Sequence, residues 1–272
     1  MWKWLQKPAS ETQITHGRRL WLYILATLIM IALVLPTIIV IPMSFSDSQY
    51  LEFPPREWSL RWYEFYFNSE AWMSATKTSL LAGFLTMLVA TPVGTLAAYG
   101  LATSTHSMVR FVFLLMITPI MIPVILIAIG AFYVYVQLQI VNTLFGLVIA
   151  HTILALPLVL IVVSAALKSF DMSQERAARS LGANRLTAFF MVTLPQIRFS
   201  VITAALLAFL TSFDEVIVAM FVSGGDNATL TRNMFNALRD QIDPTIASIS
   251  TIMILVSTSL LVLTQLLGRK KT

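Results

Sequence analysis

Ionisable side chains are scarce in this sequence, and two of them stand in apolar surroundings. Asp214 and Glu215 are adjacent inside the run Ser200–Val222, which carries no other charge. A charge in the middle of a bilayer costs on the order of 2.5–3.5 kcal/mol on insertion scales, so it faces protein or water. Successive residues of a helix point about 100° apart, so the two carboxylates cannot both face one ligand squarely. Two readings follow. One carboxylate lines a path and attracts a cation while a neighbouring helix holds the other, or the pair fixes helix packing near an interface. His151, inside the apolar run Leu144–Ala166, reads first as a buried neutral histidine bonded to another helix, and second as a substrate contact.

Other chemistry is excluded by residue type. There is no cysteine, so disulfides and thiolate chemistry are absent, and His16, His106 and His151 lie too far apart in sequence to give metal-ligand spacing. No glycine is followed five residues later by another, which rules out a phosphate-cradling G-x-x-x-x-G-K-[ST] loop. The sequence carries neither a nucleophile elbow nor an HExxH pattern. The chain therefore supplies no catalytic residue, metal site or cofactor site of its own, and energy for any work comes from a partner or an ion gradient.

The elements that must position these residues are membrane spans. Of 272 residues, 57% are hydrophobic and 11% charged, with a mean hydropathy of +0.80; a soluble domain carries roughly 25% charged residues. Lipid is the solvent this composition fits. About 20 apolar residues cross the hydrocarbon core as a helix, and six segments qualify: Leu20–Met43, Leu80–Leu101, Phe111–Tyr133, Leu144–Ala166, Ser200–Val222 and Ile246–Leu267. The first is too long, and lacks the small-residue site, for a cleaved signal. With a cytoplasmic N-terminus, the inside holds Lys3, Lys7, Arg18, Arg19, Arg110, Lys168, Arg176, Arg179, Arg185, Arg198, Arg269, Lys270 and Lys271. Only Arg56, Arg61, Lys77, Arg232 and Arg239 fall outside. Basic residues collect on the cytoplasmic side, so both termini are cytoplasmic and the net charge of +5 is membrane topology, not a nucleic-acid surface. The reading is an all-α integral membrane protein with a cytoplasmic segment 1–19, a transmembrane domain 20–267 and a cytoplasmic tail 268–272.

Two connections exceed what a turn needs. The outer loop 44–79 carries Trp58, Trp62, Tyr63, Tyr66 and Trp72, which suits the headgroup level or a partner-docking surface. The inner loop 167–198 reads as two short helices. Asp171 with Gln174 caps the first, Met172–Leu181, and Gly182 suits its C′ position. Asn184 caps the second, which stops near Pro195. Glu175 and Arg179, four apart, can pair across one turn, and Ala177 with Ala178 offers a surface for close packing.

The stretch Glu175-Arg176-Ala177-Ala178-Arg179-Ser180-Leu181-Gly182-Ala183, continued by Val192-Thr193-Leu194-Pro195, resembles the EAA motif of binding-protein-dependent ABC importer permeases. Arg176 and Phe199 depart from the commonest pattern. Phe53-Pro54-Pro55, Ser59-Leu60-Arg61-Trp62-Tyr63, Asn142-Thr143 with Gly146 and His151, Ser212-Phe213-Asp214-Glu215 and Asp243-Pro244-Thr245-Ile246-Ala247 are similar to the polyamine branch (spermidine/putrescine). Permeases for opines and amino-acid derivatives share much of this pattern.

The resemblance implies the type I permease fold, in the bacterial inner membrane, with a coupling helix that seats Glu175, Ala177, Ala178, Arg179, Leu181, Gly182 and Ala183 against a cytoplasmic ATPase dimer. ATP and Mg would be bound by that partner. It also implies a second, homologous permease subunit, a periplasmic solute-binding protein and surrounding membrane lipid. Asp214, Glu215 and His151 are the substrate-path candidates. The rival is an ion-coupled secondary transporter using Asp214 and Glu215.

Overall fold

The computed structural model describes residues 15–240 and 243–268. The basic residues Lys3 and Lys7, most of the segment 1–19 and the tail 269–272 lie outside them. Twelve α-helices follow one another, here numbered α1 to α12, and no strand forms among the described residues. They are α1 Leu20–Met43, α2 Arg61–Asn68, α3 Glu70–Thr103, α4 Val109–Met121, α5 Val124–Leu138 and α6 Leu144–Ser169. After these come α7 Ser173–Ser180, α8 Arg185–Ala188, a π-helical turn Phe189–Thr193, α9 Leu194–Phe213, α10 Ile217–Val222, α11 Leu230–Asp240 and α12 Thr245–Gly268.

The chain divides into two compact units, Met1–Glu64 with Asp243–Ile254, and Phe65–Ile242 with Leu255–Thr272. In the first, α1 is apolar all round and buries no residue, as a helix in lipid is free to do. Ser44, fully buried at its end, shares a hydrogen bond with the Tyr63 hydroxyl at 2.7 Å, and its carbonyl accepts from Ser248 Oγ at 3.3 Å. Trp62 Nε1 donates to Ser48 O at 3.0 Å, so the loop after α1 is tied down by its own polar groups.

The second unit is built on α3, α6 and α9, which pack together along one core. Ala90, Ala98 and Tyr99 of α3 meet Val159, Leu160 and Val163 of α6 and Ile197, Ala204 and Ala208 of α9. Small residues at these contacts let the helix backbones approach closely. A Cβ on Gly94 would stand 2.6 Å from Val159 Cγ1. A second cluster joins Ala128 and Tyr135 of α5 to Leu147 and Leu154 of α6 and Val218 and Val222 of α10.

Among the described residues, five helical stretches are long and apolar enough to cross a membrane: His16–Met43, Glu70–Thr103, Leu144–Ser169, Arg185–Phe213 and Thr245–Val262. The expected third span, Phe111–Tyr133, is not continuous. It is two helices, α4 and α5, bent by 100° at Ile122–Pro123, and makes a sixth span only if the pair counts as one. Ile122 takes extended angles (φ −88°, ψ 133°) because the ring that follows it excludes the helical region.

Three other boundaries move. α3 starts ten residues before Leu80, so the last part of the loop 44–79 is helix; at 34 residues it is about 50 Å long. Tyr66 and Trp72 are buried, so these two aromatics pack inside the protein and not at the headgroup level. Pro195 does not stop the helix after Asn184: the chain passes through the π turn and runs on to Phe213. Pro195 directly follows the π turn, and the wider turn there leaves room for its ring. The fifth span then ends at Phe213 instead of running to Val222, and α10 begins only after a break at Asp214–Val216.

Candidate functional site

The loop after α6 is held by side chains acting on nearby backbone. Asp171 accepts from the Ser173 hydroxyl at 2.7 Å and amide at 2.9 Å, and those bonds hold its carboxyl below the usual carboxylate range. They fix the start of α7. Gly182 closes it at φ +98°, a left-handed angle that favours glycine. Asn184 Oδ1 accepts from Thr187 N at 2.8 Å and starts α8. Asn184 caps α8 as the sequence predicts, whereas α7 begins at Ser173 with Met172 at the cap position, Asp171 acting from one residue earlier and Gln174 bonded to Gln196 instead of to the cap.

The faces of α7 are arranged otherwise than the Glu175–Arg179 pairing predicts. Glu175 is only 4% exposed and is the one buried residue of the helix. Its Oε1 accepts from the Tyr99 hydroxyl at 2.6 Å and its Oε2 from Thr193 Oγ1 at 2.5 Å. Around it, the Tyr99 ring lies 4.5 Å from that of Phe189, and the Arg185 guanidinium stands 5.4 Å above it. Arg185 also donates to Thr103 Oγ1. A carboxylate this buried requires such donors, and once they hold it, Arg179 is left to face solvent. Ala177, Arg179, Leu181 and Gly182 are exposed, with Leu181 at 90%, while Ala178 and Ala183 are half-buried. What α7 offers another molecule is thus a surface of small residues, a guanidinium and an unpartnered leucine, with the carboxylate anchoring it from beneath. Tyr99, 76 residues away, has no signal in the sequence that links it to Glu175, whereas Thr193 stands in the same motif without any sign that it bonds the carboxylate.

The second candidate is the break after α9. Asp214 caps α9 through its backbone amide, which donates to Leu210 O at 3.0 Å, and its side chain is exposed. Glu215 turns back instead: its Oε1 accepts from Val218 N at 2.9 Å, at the start of α10, and its carbonyl accepts from Thr231 Oγ1 at 2.9 Å. A carboxylate suits the first turn of a helix, where amides lack partners. His151, fully buried in α6, shares a 2.7 Å hydrogen bond between Nδ1 and Ser212 Oγ, two residues before Asp214. This is the histidine-to-neighbouring-helix contact the sequence favoured. Asp214 and Glu215 therefore part in role at a helix break, not within a continuous helix.

At the end of α3 away from Tyr99, Ser79 Oγ accepts from Leu230 N at 2.8 Å. A polar cleft of about 670 Å³ opens there, lined by Glu70, Ser74, Asp226, Arg232 and Asn236 among others. Among the described residues no cluster of side chains suits a metal ion.

The long apolar helices, packed on one another through small residues, are those of a multi-pass membrane protein. Residues 90–272 match the binding-protein-dependent transport system inner membrane component family, and the chain belongs to that family: it is a multi-pass inner-membrane permease of an ABC importer. It is 31% identical to the spermidine/putrescine transport system permease protein PotC of Haemophilus influenzae, over 88% of this chain and 92% of that one. It is also 32% identical to the putrescine transport system permease protein PotI of Escherichia coli K12, over 72% and 73%. Its fold is shared with a bacterial ABC transporter involved in the import of the acidic polysaccharide alginate (TM-score 0.68, 14% identity, 96% of this chain and 100% of that one). It is shared too with a bacterial alginate ABC transporter in complex with an alginate pentasaccharide-bound periplasmic protein (TM-score 0.72, 18% identity, 93% and 96%).

Proposed function

We propose that this permease moves a small cationic solute, a polyamine such as putrescine or spermidine, from a periplasmic binding protein into the cytoplasm. The observation that carries the solute class is Asp214, whose carboxylate is exposed at the break after α9 while Glu215 is engaged as a cap. An exposed anion on a membrane path attracts a cation, and the relatives named for spermidine and putrescine support the same class. Glu215 and His151 hold the break on either side.

In this reading the α4–α5 pair is one bent span, giving six with both termini cytoplasmic. A second, homologous permease chain completes the path, and a periplasmic binding protein delivers solute at the α11 end. A cytoplasmic ATPase dimer binds ATP and Mg and closes on the surface formed by Ala177, Ala178, Arg179, Leu181, Gly182 and Ala183. ATP hydrolysis belongs to those subunits.

The test is uptake of labelled putrescine and spermidine by the complex reconstituted with its neighbouring ATPase, permease and binding-protein gene products. Uptake that requires ATP and falls in Asp214→Asn at equal abundance is the expected outcome. Asp214→Asn uptake equal to wild type would remove that residue from the path. Uptake of an opine or amino-acid derivative in preference to polyamines would reassign the solute, and uptake without ATP would favour the gradient-driven rival.

A further inference from the structure

Glu175 and its donors join three elements of the second unit at one buried carboxylate. Tyr99 reaches it from α3, four residues before that helix ends, and Thr193 from the last position of the π turn that leads into α9. Glu175 itself is the only buried residue of α7. An eight-residue helix is marginal by itself in water, so α7 depends on what it is fastened to. Its neighbour Gln174 adds one exposed link, accepting from Gln196 Nε2 of α9.

Tyr99 is confined from several directions. Its ring packs on Phe189, Arg185 covers the ring, and Arg185 bonds the Thr103 hydroxyl, which donates in turn to Tyr99 O at 2.8 Å. Tyr99 is 6% exposed and Thr193 is fully buried. A displacement of α7 must therefore carry the end of α3 and the π turn with it, or strip a buried carboxylate of donors, which is the costlier course. π turns within helices recur at functional sites and hinges, and this one bears one of the two donors.

We infer that the Tyr99 and Thr193 hydroxyls are positioning groups that transmit movement of α7 to α3 and α9 through Glu175, so that removing either uncouples ATP hydrolysis from solute movement without detaching the ATPase. The inference rests on the proposed docking of an ATPase at α7. It differs from that docking in where the consequence falls: on the yield of transport per ATP, not on assembly.

The experiment compares wild type, Tyr99→Phe and Thr193→Val in the reconstituted complex, measuring labelled putrescine moved per ATP hydrolysed, with ATPase retention assayed by pull-down. Tyr99→Phe keeps the ring packed against Phe189 and Arg185 and deletes only the hydroxyl. The expected result is a roughly tenfold lower yield per ATP in Tyr99→Phe, the scale of one lost hydrogen bond to a carboxylate, with ATPase retained. Thr193→Val should act in the same direction. An unchanged yield in either variant overturns the inference. So does a joint loss of ATPase retention and uptake at constant yield, which makes the hydroxyls fasteners only. Wild-type complex lacking ATP-driven uptake would instead overturn the functional reading on which the inference stands. Leu181→Ser provides the contrast: it should lower ATPase retention while leaving the yield per ATP of the complexes that remain.

Discussion

Glu175 shows what a residue's neighbours in space can do to a reading based on neighbours in sequence. Spacing pairs it with Arg179 on one exposed helix face, yet two hydroxyls from distant segments draw it inward. Buried donors outcompete an exposed ion pair, which is worth only a few tenths of a kcal/mol. The same logic separates Asp214 from Glu215. The helix break supplies free amides for one carboxylate, and Glu215 takes them. At this scale Gly182 is the position to change first. At φ +98° an alanine would be strained by about 1–2 kcal/mol, and Gly182→Ala should lower ATPase retention in a pull-down. His151→Leu should lower thermal stability by roughly 1–3 kcal/mol, because Ser212 loses its buried partner; a thermal melt of the detergent-solubilised protein would measure it.

Among the elements, long helices were the most legible. α1 has the bounds expected of it, and α6 begins where expected and runs three residues past Ala166, because an apolar run of sufficient length has one stable form in lipid. Breaks were less so. Proline signals a possible interruption, but Pro123 ends a helix at a 100° bend while Pro195 follows a π turn in a helix that runs on; the difference lies in what precedes each ring. The packing of α3 on α6 is also set by contacts that composition only suggests. Gly94 and Ala98 are small, as close packing requires, but Val159 as the facing residue appears only in the fold. Gly94→Ala should destabilise by about 1–3 kcal/mol through overpacking. Val159→Ala in the same chain should recover part of the loss, a coupling that thermal unfolding of the two single variants and the double would reveal.

For the whole molecule, topology is the property to test. The chain has no native cysteine, so single-cysteine variants report position without background. Ser180 and Asp226 are both exposed, on α7 and on the turn before α11. With cytoplasmic termini and six spans, Ser180→Cys should react with a membrane-impermeant maleimide only in inverted vesicles, and Asp226→Cys only in intact spheroplasts. The reverse pattern, with Ser180→Cys labelled in spheroplasts and Asp226→Cys in inverted vesicles, would mean that the bent pair α4–α5 does not cross the membrane as one span.

Composition and charge placement by themselves determined a helical membrane protein, its apolar segments and the capped loop Asp171–Asn184, because each depends on solvent preference or on contacts within a few residues. The tertiary structure alone decided that Glu175 faces the bundle, that Asp214 and Glu215 divide at a break, and that His151 meets Ser212. Each of those outcomes is a competition for hydrogen-bond partners that the fold sets, whether the partner is 76 residues away, as for Glu175 and Tyr99, or three residues away across a helix break, as for Glu215 and Val218. In a low-dielectric interior an unpaired polar group is expensive, so the winner is whichever donor the fold brings within about 3 Å, and sequence spacing carries no record of that distance.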